Sequence, residues 1–337
     1  MNVIVSFINT KTLIADPNRL LGIFNTDTKQ LIQWINLDKI SGIEDVTHAT
    51  GMCYFNDILC VGLIPKTHRL TSKLLIINLK TGIKNITPLY FTKAIHGICP
   101  LSLNSNILLT ASSQTDLVTA LTIFGEKIVV EDIYYDFLQA NRELVDLTQE
   151  YIYDDNLHIN DVLVHKDKLW VSMFHNYTEK PTCVFSKQDK IAKPKPRKDG
   201  LIINMDLSNN TLKFYNPKII LNDQFLPHTI YFDSENKFCY CNSGQSEFYY
   251  DWKKISLQGF TRGICEDKAK GGFWIGISSY RQDNTSTLNI AKDNDNFPGA
   301  MLQFVDKKTL TVTDTFKMFD YGKEIFEVLP YDMDSKI

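Results

Sequence analysis

"HINDVLVHKDKLWVSMFH" (His158–His175) sets a polar triplet at the entrance of an apolar run, turns at a short polar segment, and runs apolar again. This is the pattern of a hairpin whose first strand begins at a polar marker. The unit recurs along the chain. His48 stands eleven residues before Leu59, His96 eleven before Ile107, His158 eleven before Leu169 and Arg262 eleven before Phe273. "HTIYFDSENKFCYCNSG", beginning at His228, fits within one residue. Fourteen residues after these markers come Gly62, Thr110, Ser172, Asn242 and Gly276, all short side chains. A second alignment matches Gly51 to Gly97. It puts Thr50 in the marker place and His48 one pleat above it.

A second hairpin often follows the first, as in "KLLIINLKTGIKNITPL", "GLIINMDLSNNTLKFYN" and "AMLQFVDKKTLTVTDTF". Four strands per repeat make the blade of a β-propeller. Successive markers are 48, 62, 70 and 34 residues apart. Uneven loops account for the spread, and the short interval implies a truncated fourth blade. At the ends, "NVIVSFIN" and "RLLGIFNTDTKQLIQWINL" supply three strands of a blade, while "EIFEVLPYD" is a strand without a partner beside it. Joined, they complete a blade and remove free sheet edges. The expectation is an all-β fold, a six-bladed β-propeller closed by its N- and C-terminal strands, as a single domain over 1–337. One helical insertion is expected near 131–153, from Glu131 to Tyr153, with Ile133, Phe137, Leu138, Leu144 and Leu147 as apolar positions. A seven-bladed ring is the rival if 131–157 holds strands.

The chain has 337 residues, 44% hydrophobic and 22% charged, with a formal net charge of −3, so no general pull toward nucleic acid or an anionic membrane is implied. "MNVIVSFINTKT" lacks the basic and long apolar regions of a signal peptide. No run is long enough to cross a membrane as a helix. The seven cysteines include no CxxC and mostly sit in apolar runs, where a thiol behaves as a small hydrophobe. A reducing, cytoplasmic setting with buried thiols is expected.

In a propeller, the first strand of each blade lines the central channel. His48, His96, His158, His228, Arg262 and one of Glu324 or Glu327 are therefore expected as a ring at one channel mouth, under the long insertions at 131–157, 177–199 and 281–299. Four imidazoles suit a divalent transition metal, which would act as a Lewis acid or make a hydroxide nucleophile. On that reading His48, His96, His158 and His228 are ligands. Arg262 clamps an anion, Glu324 is a ligand or general base, and Asn160 and Asp161 support His158. Asn160, Asn242 and Arg281 form the substrate-binding side. A non-metal pocket and a purely structural polar ring are the competing readings of the same residues. The function expected is a metal-dependent enzyme of lyase, isomerase or hydrolase type, acting on a small polar or anionic molecule. The alternative is a non-catalytic propeller that binds a protein or glycan, with the basic loop 177–199 as its contact.

"HINDVLVHKDKLWVSMF", "PHTIYFDSENKFCYCNSG" (227–244), "GFTRGICEDKAKGGFWIGISSYR" (259–281) and "EIFEVLP" (324–330) together resemble a bacterial family of conserved domains of unknown function with a propeller fold. The likeness covers roughly 155–330. It implies family motif positions at His158, Asn160, His228, Asn242, Ser243, Gly244, Arg262, Gly263, Ser278, Arg281 and Glu324, but no reaction. More distantly, the blades look like those of lactonase-type and lyase-type six-bladed propellers, which often hold a metal in the channel.

Overall fold

The computed structural model describes residues 1–8, 17–66, 72–102, 105–136, 157–174, 200–207, 214–279 and 299–332. The chain opens with β1 (Asn2–Ile8), β2 (Leu21–Asn25) and β3 (Gln30–Trp34). It continues with β4 (Val46–Phe55), β5 (Ile58–Pro65), β6 (Lys73–Asn78) and β7 (Lys84–Pro88). Next come β8 (Ile95–Pro100), β9 (Ile107–Ser112), β10 (Leu117–Phe124) and β11 (Lys127–Asp136), then β12 (Ile159–His165), β13 (Lys168–Met173), β14 (Gly200–Leu207) and β15 (Phe214–Gln224). Two more sets follow, β16 (Pro227–Phe232), β17 (Phe238–Asn242), β18 (Glu247–Tyr250), β19 (Lys253–Ser256), and β20 (Phe260–Asp267), β21 (Gly272–Ser278), β22 (Met301–Asp306), β23 (Val312–Lys317). β24 (Glu324–Pro330) comes last.

Each of β8–β11, β12–β15, β16–β19 and β20–β23 is a four-stranded antiparallel sheet. β1–β7 and β24 form one eight-stranded sheet. Its two runs, β24-β1-β2-β3 and β4-β5-β6-β7, are joined only by the pair Ile8↔His48. The chain ends meet as the sequence led one to expect. β24 runs antiparallel to β1, from Val3↔Pro330 to Ile8↔Glu324.

Burial explains the arrangement. β5 is apolar and buried at every position, because strands near the centre are covered on both faces. Outer strands such as β15 expose about every other side chain or more. Apolar layers lie between neighbouring sheets. Ile76, Ile95, Ile98 and Leu121 fill one. Leu109, Val118, Val162, Val171 and Ile203 fill the next. Val5, Phe24, Trp274, Leu302 and Val328 seal the last sheet against the first strands of the chain. At the centre, β4 lies beside β8, β8 beside β12, β12 beside β16, β16 beside β20, β20 beside β24, and β24 beside β4. The molecule is an all-β propeller.

Two expectations are corrected. Residues 131–136, assigned to the start of a helix, continue β11. "KIVVEDIYYD" is rich in β-branched and aromatic residues, and it pairs along β10 as far as Leu117↔Asp136. The rest of the expected helix lies outside the described residues. The set between His228 and Arg262 is not truncated. It keeps four strands, and the short interval is met by outer strands of only four residues each.

Candidate functional site

Every central strand carries a break in its ladder at the same level. The irregularities fall between Ala49 and Met52, Ile95 and Ile98, Ile159 and Asp161, His228 and Ile230, and Arg262 and Ile264. β24 skips Phe326 against β1. A bulge re-aims the side chains at its site. Here it defines an equivalent triplet in each strand: Thr50-Gly51-Met52, His96-Gly97-Ile98, Asn160-Asp161-Val162, His228-Thr229-Ile230, Arg262-Gly263-Ile264 and Phe326-Glu327-Val328. The marker level is therefore Thr50, His96, Asn160, His228, Arg262 and Phe326. His48, His158 and Glu324 stand two residues earlier, one pleat nearer the mouth. The alignment that matched Gly51 to Gly97 is the one that the registers follow.

The second residue of each triplet packs against the neighbouring strand. A Cβ at Gly51 would lie 2.0 Å from the His96 carbonyl oxygen, and one at Gly263 would lie 2.8 Å from the Val328 nitrogen. Where a side chain stands at this level, it reaches across. Asp161 Oδ2 accepts the Ile230 N–H at 2.6 Å, and Thr229 Oγ1 accepts the Gly263 N–H at 3.0 Å. Glu327 accepts the Ile264 N–H. Burial pushes the Asp161 carboxyl up to about 7, against the downward pull of the Ile230 and Val162 N–H groups. Burial, and then the Asp161 charge, hold Glu327 well above the ordinary carboxylate range.

The marker level and the pleat above it form a chain of planar groups that closes on itself. His158 stacks on Phe174 at 4.4 Å, and Phe174 meets His228 edge-on at 4.9 Å. His228 meets Phe260 at 5.2 Å, and the Arg262 guanidinium lies 4.5 Å from the Phe260 centroid and 5.2 Å from that of Phe326. Phe326 meets His96 at 5.2 Å, and His96 returns to His158 at 5.3 Å. The edge-on contacts are those that aromatic quadrupoles favour. Backbone conformation helps to place this rim, since His158 has φ +49° and its N–H donates to Asp116 Oδ1 at 2.9 Å.

His228 is 2% exposed. Its Nδ1 lies 3.0 Å from the Leu226 carbonyl oxygen, which can only accept, so Nδ1 carries the hydrogen. Ser243 Oγ, 2.9 Å away, donates its own proton to the Thr261 carbonyl and so faces Nδ1 as an acceptor. Nε2 is left with a lone pair, buried and without a hydrogen-bond partner among the described residues. Burial, followed by the nearby Arg262 charge, holds this imidazole well below the usual histidine range. It is neutral at physiological pH. Arg262 is itself buried, with Glu324 Oε2 at 3.7 Å as its counter-charge. Glu324 is thus placed to balance Arg262.

The other sequence-derived residues divide. His96 Nδ1 is 3.0 Å from Asn160 Oδ1, and Asn160 donates to the Pro227 carbonyl, so Asn160 bridges neighbouring strands below the rim. His48 Nδ1 is engaged by Thr47 Oγ1 at 2.6 Å, and the closed chain of rings passes from His96 to His158 without it. Asn242 braces its own loop, accepting the Phe225 N–H and donating to Gln245 and Glu247. Arg281, most of the 281–299 insertion and all of the 177–199 loop lie outside the described residues.

The metal reading rests on His48, His96, His158 and His228 converging. His96 and His158 meet edge-on at 5.3 Å, whereas the ring contacts described for His228 are to Phe174, Phe260 and Phe326. Among the described residues, no group of three or more His, Cys, Asp or Glu side chains could hold a metal ion. The sequence reading missed Phe174, Phe260 and Phe326, which complete the rim, and the inter-strand role of Asp161, Thr229 and Glu327. Alignment on Gly51, Gly97 and Gly263 carried the signal for the Phe326 and Glu327 level.

The fold and this central ring define a β-propeller with a polar and aromatic channel mouth. No family model matches the chain, and no curated protein matches it by sequence. Solved structures do. A Bacteroides caccae protein of unknown function superposes with a TM-score of 0.58 at 9% identity, over 98% of each chain. TolB from Acinetobacter baumannii gives 0.56 at 9% identity, over 97% of this chain and 66% of that one. A luciferin-regenerating enzyme gives 0.51 at 10% identity, over 80% and 76%. At such identities the likeness is one of fold. Among the described residues, no helix is long and apolar enough to cross a membrane.

Proposed function

We propose that the chain is a single six-bladed propeller whose channel mouth binds and acts on a small organic anion. The six-blade count takes β24 with β1–β3 as one blade and β4–β7 as another, and the circuit of central strands supports it. Arg262 holds the anionic group, and His228 Nε2 takes a proton from, or accepts a hydrogen bond from, the rest of the molecule. The observation that carries this reading is the Nε2 of a neutral imidazole, buried without a hydrogen-bond partner among the described residues, beside a buried guanidinium. A hydrogen bond left unmade at such an atom is costly, and a titratable group perturbed by burial beside a fixed charge is a mark of function. No step is assigned to a metal, since among the described residues no three ligating side chains come together.

A thermal-shift screen of the full chain against small carboxylates, phosphates, neutral sugars and amines tests the proposal. Ligands that bind only the folded state raise the melting temperature. The expected result is stabilisation by one class of anion, abolished in Arg262→Gln. Stabilisation by no anion, or equal stabilisation of the variant, would overturn the reading.

A further inference from the structure

We propose that β11 joins two copies of the chain, edge to edge and antiparallel, about a two-fold axis between Val129 and Val130. β11 is the outermost strand of its sheet, on the circumference of the disc, so the joint is independent of the channel mouth.

The other outer strands are blunted against such pairing. β3 and β7 have five residues each, and β19 has four. β15 carries Pro217 within its run, and β23 holds Asp314 in an ion pair with Lys29. Short strands, prolines and charges are the usual protection of a sheet edge. β11 has ten residues and no proline. Its edge away from β10 pairs with no strand among the described residues. Along it Val129, Val130 and Ile133 are 55%, 53% and 44% exposed. Phe124 stands opposite Lys127 at the end of the hairpin, and Glu131 accepts the N–H groups of Tyr90 and Phe91, so three more exposed rings border the strand.

The strand also selects its partner. Side chains alternate between the two faces of a sheet, so positions 127 and 132 of a regular strand fall on opposite faces. β11 has a bulge at Val129, which stands opposite no residue of β10. The extra residue brings Lys127, Val130 and Asp132 onto one face. Ile128 and Glu131 share the other, where Ile128 packs against the layer of Ile76 and Leu121 and Glu131 reaches Tyr90. Lys127 and Asp132 are exposed, and neither has an ion-pair partner among the described residues. Two copies of Lys127–Asp132 laid antiparallel set each Lys127 opposite the other copy's Asp132, Ile128 opposite Glu131, and Val129 opposite Val130. The opposed charges then lie on one face, and a slip of one residue breaks that match. Opposite charges across a strand pair stabilise it, and two-fold symmetry makes each contact twice. A foreign strand satisfies main-chain groups equally well, but this stretch is complementary to itself.

Sedimentation velocity of the full chain over a concentration series tests the inference. A joint of this small size predicts a dimer that dissociates in the micromolar range. Lys127→Asp and Asp132→Lys each oppose like charges at both ends of the joint, and each should weaken the dimer about tenfold or more. The two variants mixed should form a heterodimer, because the paired aspartates of one meet the paired lysines of the other. The double variant Lys127→Asp/Asp132→Lys should dimerise as the native chain does. Circular dichroism should show the same thermal transition in every variant, since both side chains are exposed. A chain that stays monomeric at every concentration overturns the inference. So does a dimer that neither single variant weakens, or a mixture of the two that fails to restore association.

Discussion

Asp161→Asn offers a test of how the propeller is held together at its centre. The Asp161 carboxyl accepts the Ile230 N–H of the neighbouring strand, and burial raises it to about 7. In the unfolded chain it returns to about 3.9. The folded protein therefore holds this proton more tightly than the unfolded one. Below about pH 4 both states are protonated and the group is neutral in its effect. As pH rises toward 7, the unfolded chain ionises while the folded chain does not, and stability is lost. Each pH unit in that window costs about 1.4 kcal/mol, so the interval from pH 5 to 7 costs about 2–3 kcal/mol. The amide of the variant cannot ionise, and its oxygen can still accept from Ile230. Urea unfolding of both proteins at pH 5 and pH 8 should show the variant gaining about 2–3 kcal/mol on the native chain across that range. The double difference cancels the other titrating groups. A gap that does not change with pH would refute the argument that Asp161 is a proton-bearing link.

Other outcomes follow from the same structure. Lys307 Nζ lies 2.7 Å from Asp233 and 2.5 Å from Glu266, whose side chains are 0% and 4% exposed, so Lys307→Met should cost about 3–5 kcal/mol at neutral pH and less at pH 4, measured by urea unfolding. Burial holds His228 neutral, so its imidazole resonances should titrate well below the ordinary histidine range; a midpoint near 6.5 in the NMR titration would contradict the burial argument. Deleting 324–337 removes β24 and exposes the edge of β1, and circular dichroism should show loss of the cooperative thermal transition. Protein purified without chelators should carry no stoichiometric transition metal by mass spectrometry, whereas one equivalent lost in a His158→Ala/His228→Ala pair would restore the imidazole-ligand reading.

The repeat was legible because each blade writes the same polar-to-apolar step into sequence, and the closure of β24 on β1 was legible because the unpaired strand and the incomplete blade were complementary. The level of each side chain was not. A bulge adds a residue without changing the apolar pattern, so His158 looked equivalent to His96 when it stands one pleat above it, and His48 was left open between the two levels. Phe326 was passed over for its charged neighbours Glu324 and Glu327, since a ring at a channel reads as core until its partners are known. β11 was misread at its end because "EDIYYDF" fits a helical stripe as well as a strand, and only the pairing with β10 decides between them.

The central claim is that His228 and Arg262 face one ligand across the rim. Nitrogen NMR of the histidines during titration with the small anion that most stabilises the chain in the thermal-shift screen tests it most directly. The account predicts a large shift at His228 Nε2, smaller shifts at His96 and His158, and none at His165, which stacks on Phe232 away from the rim. A saturable binder that leaves His228 Nε2 unmoved would contradict it.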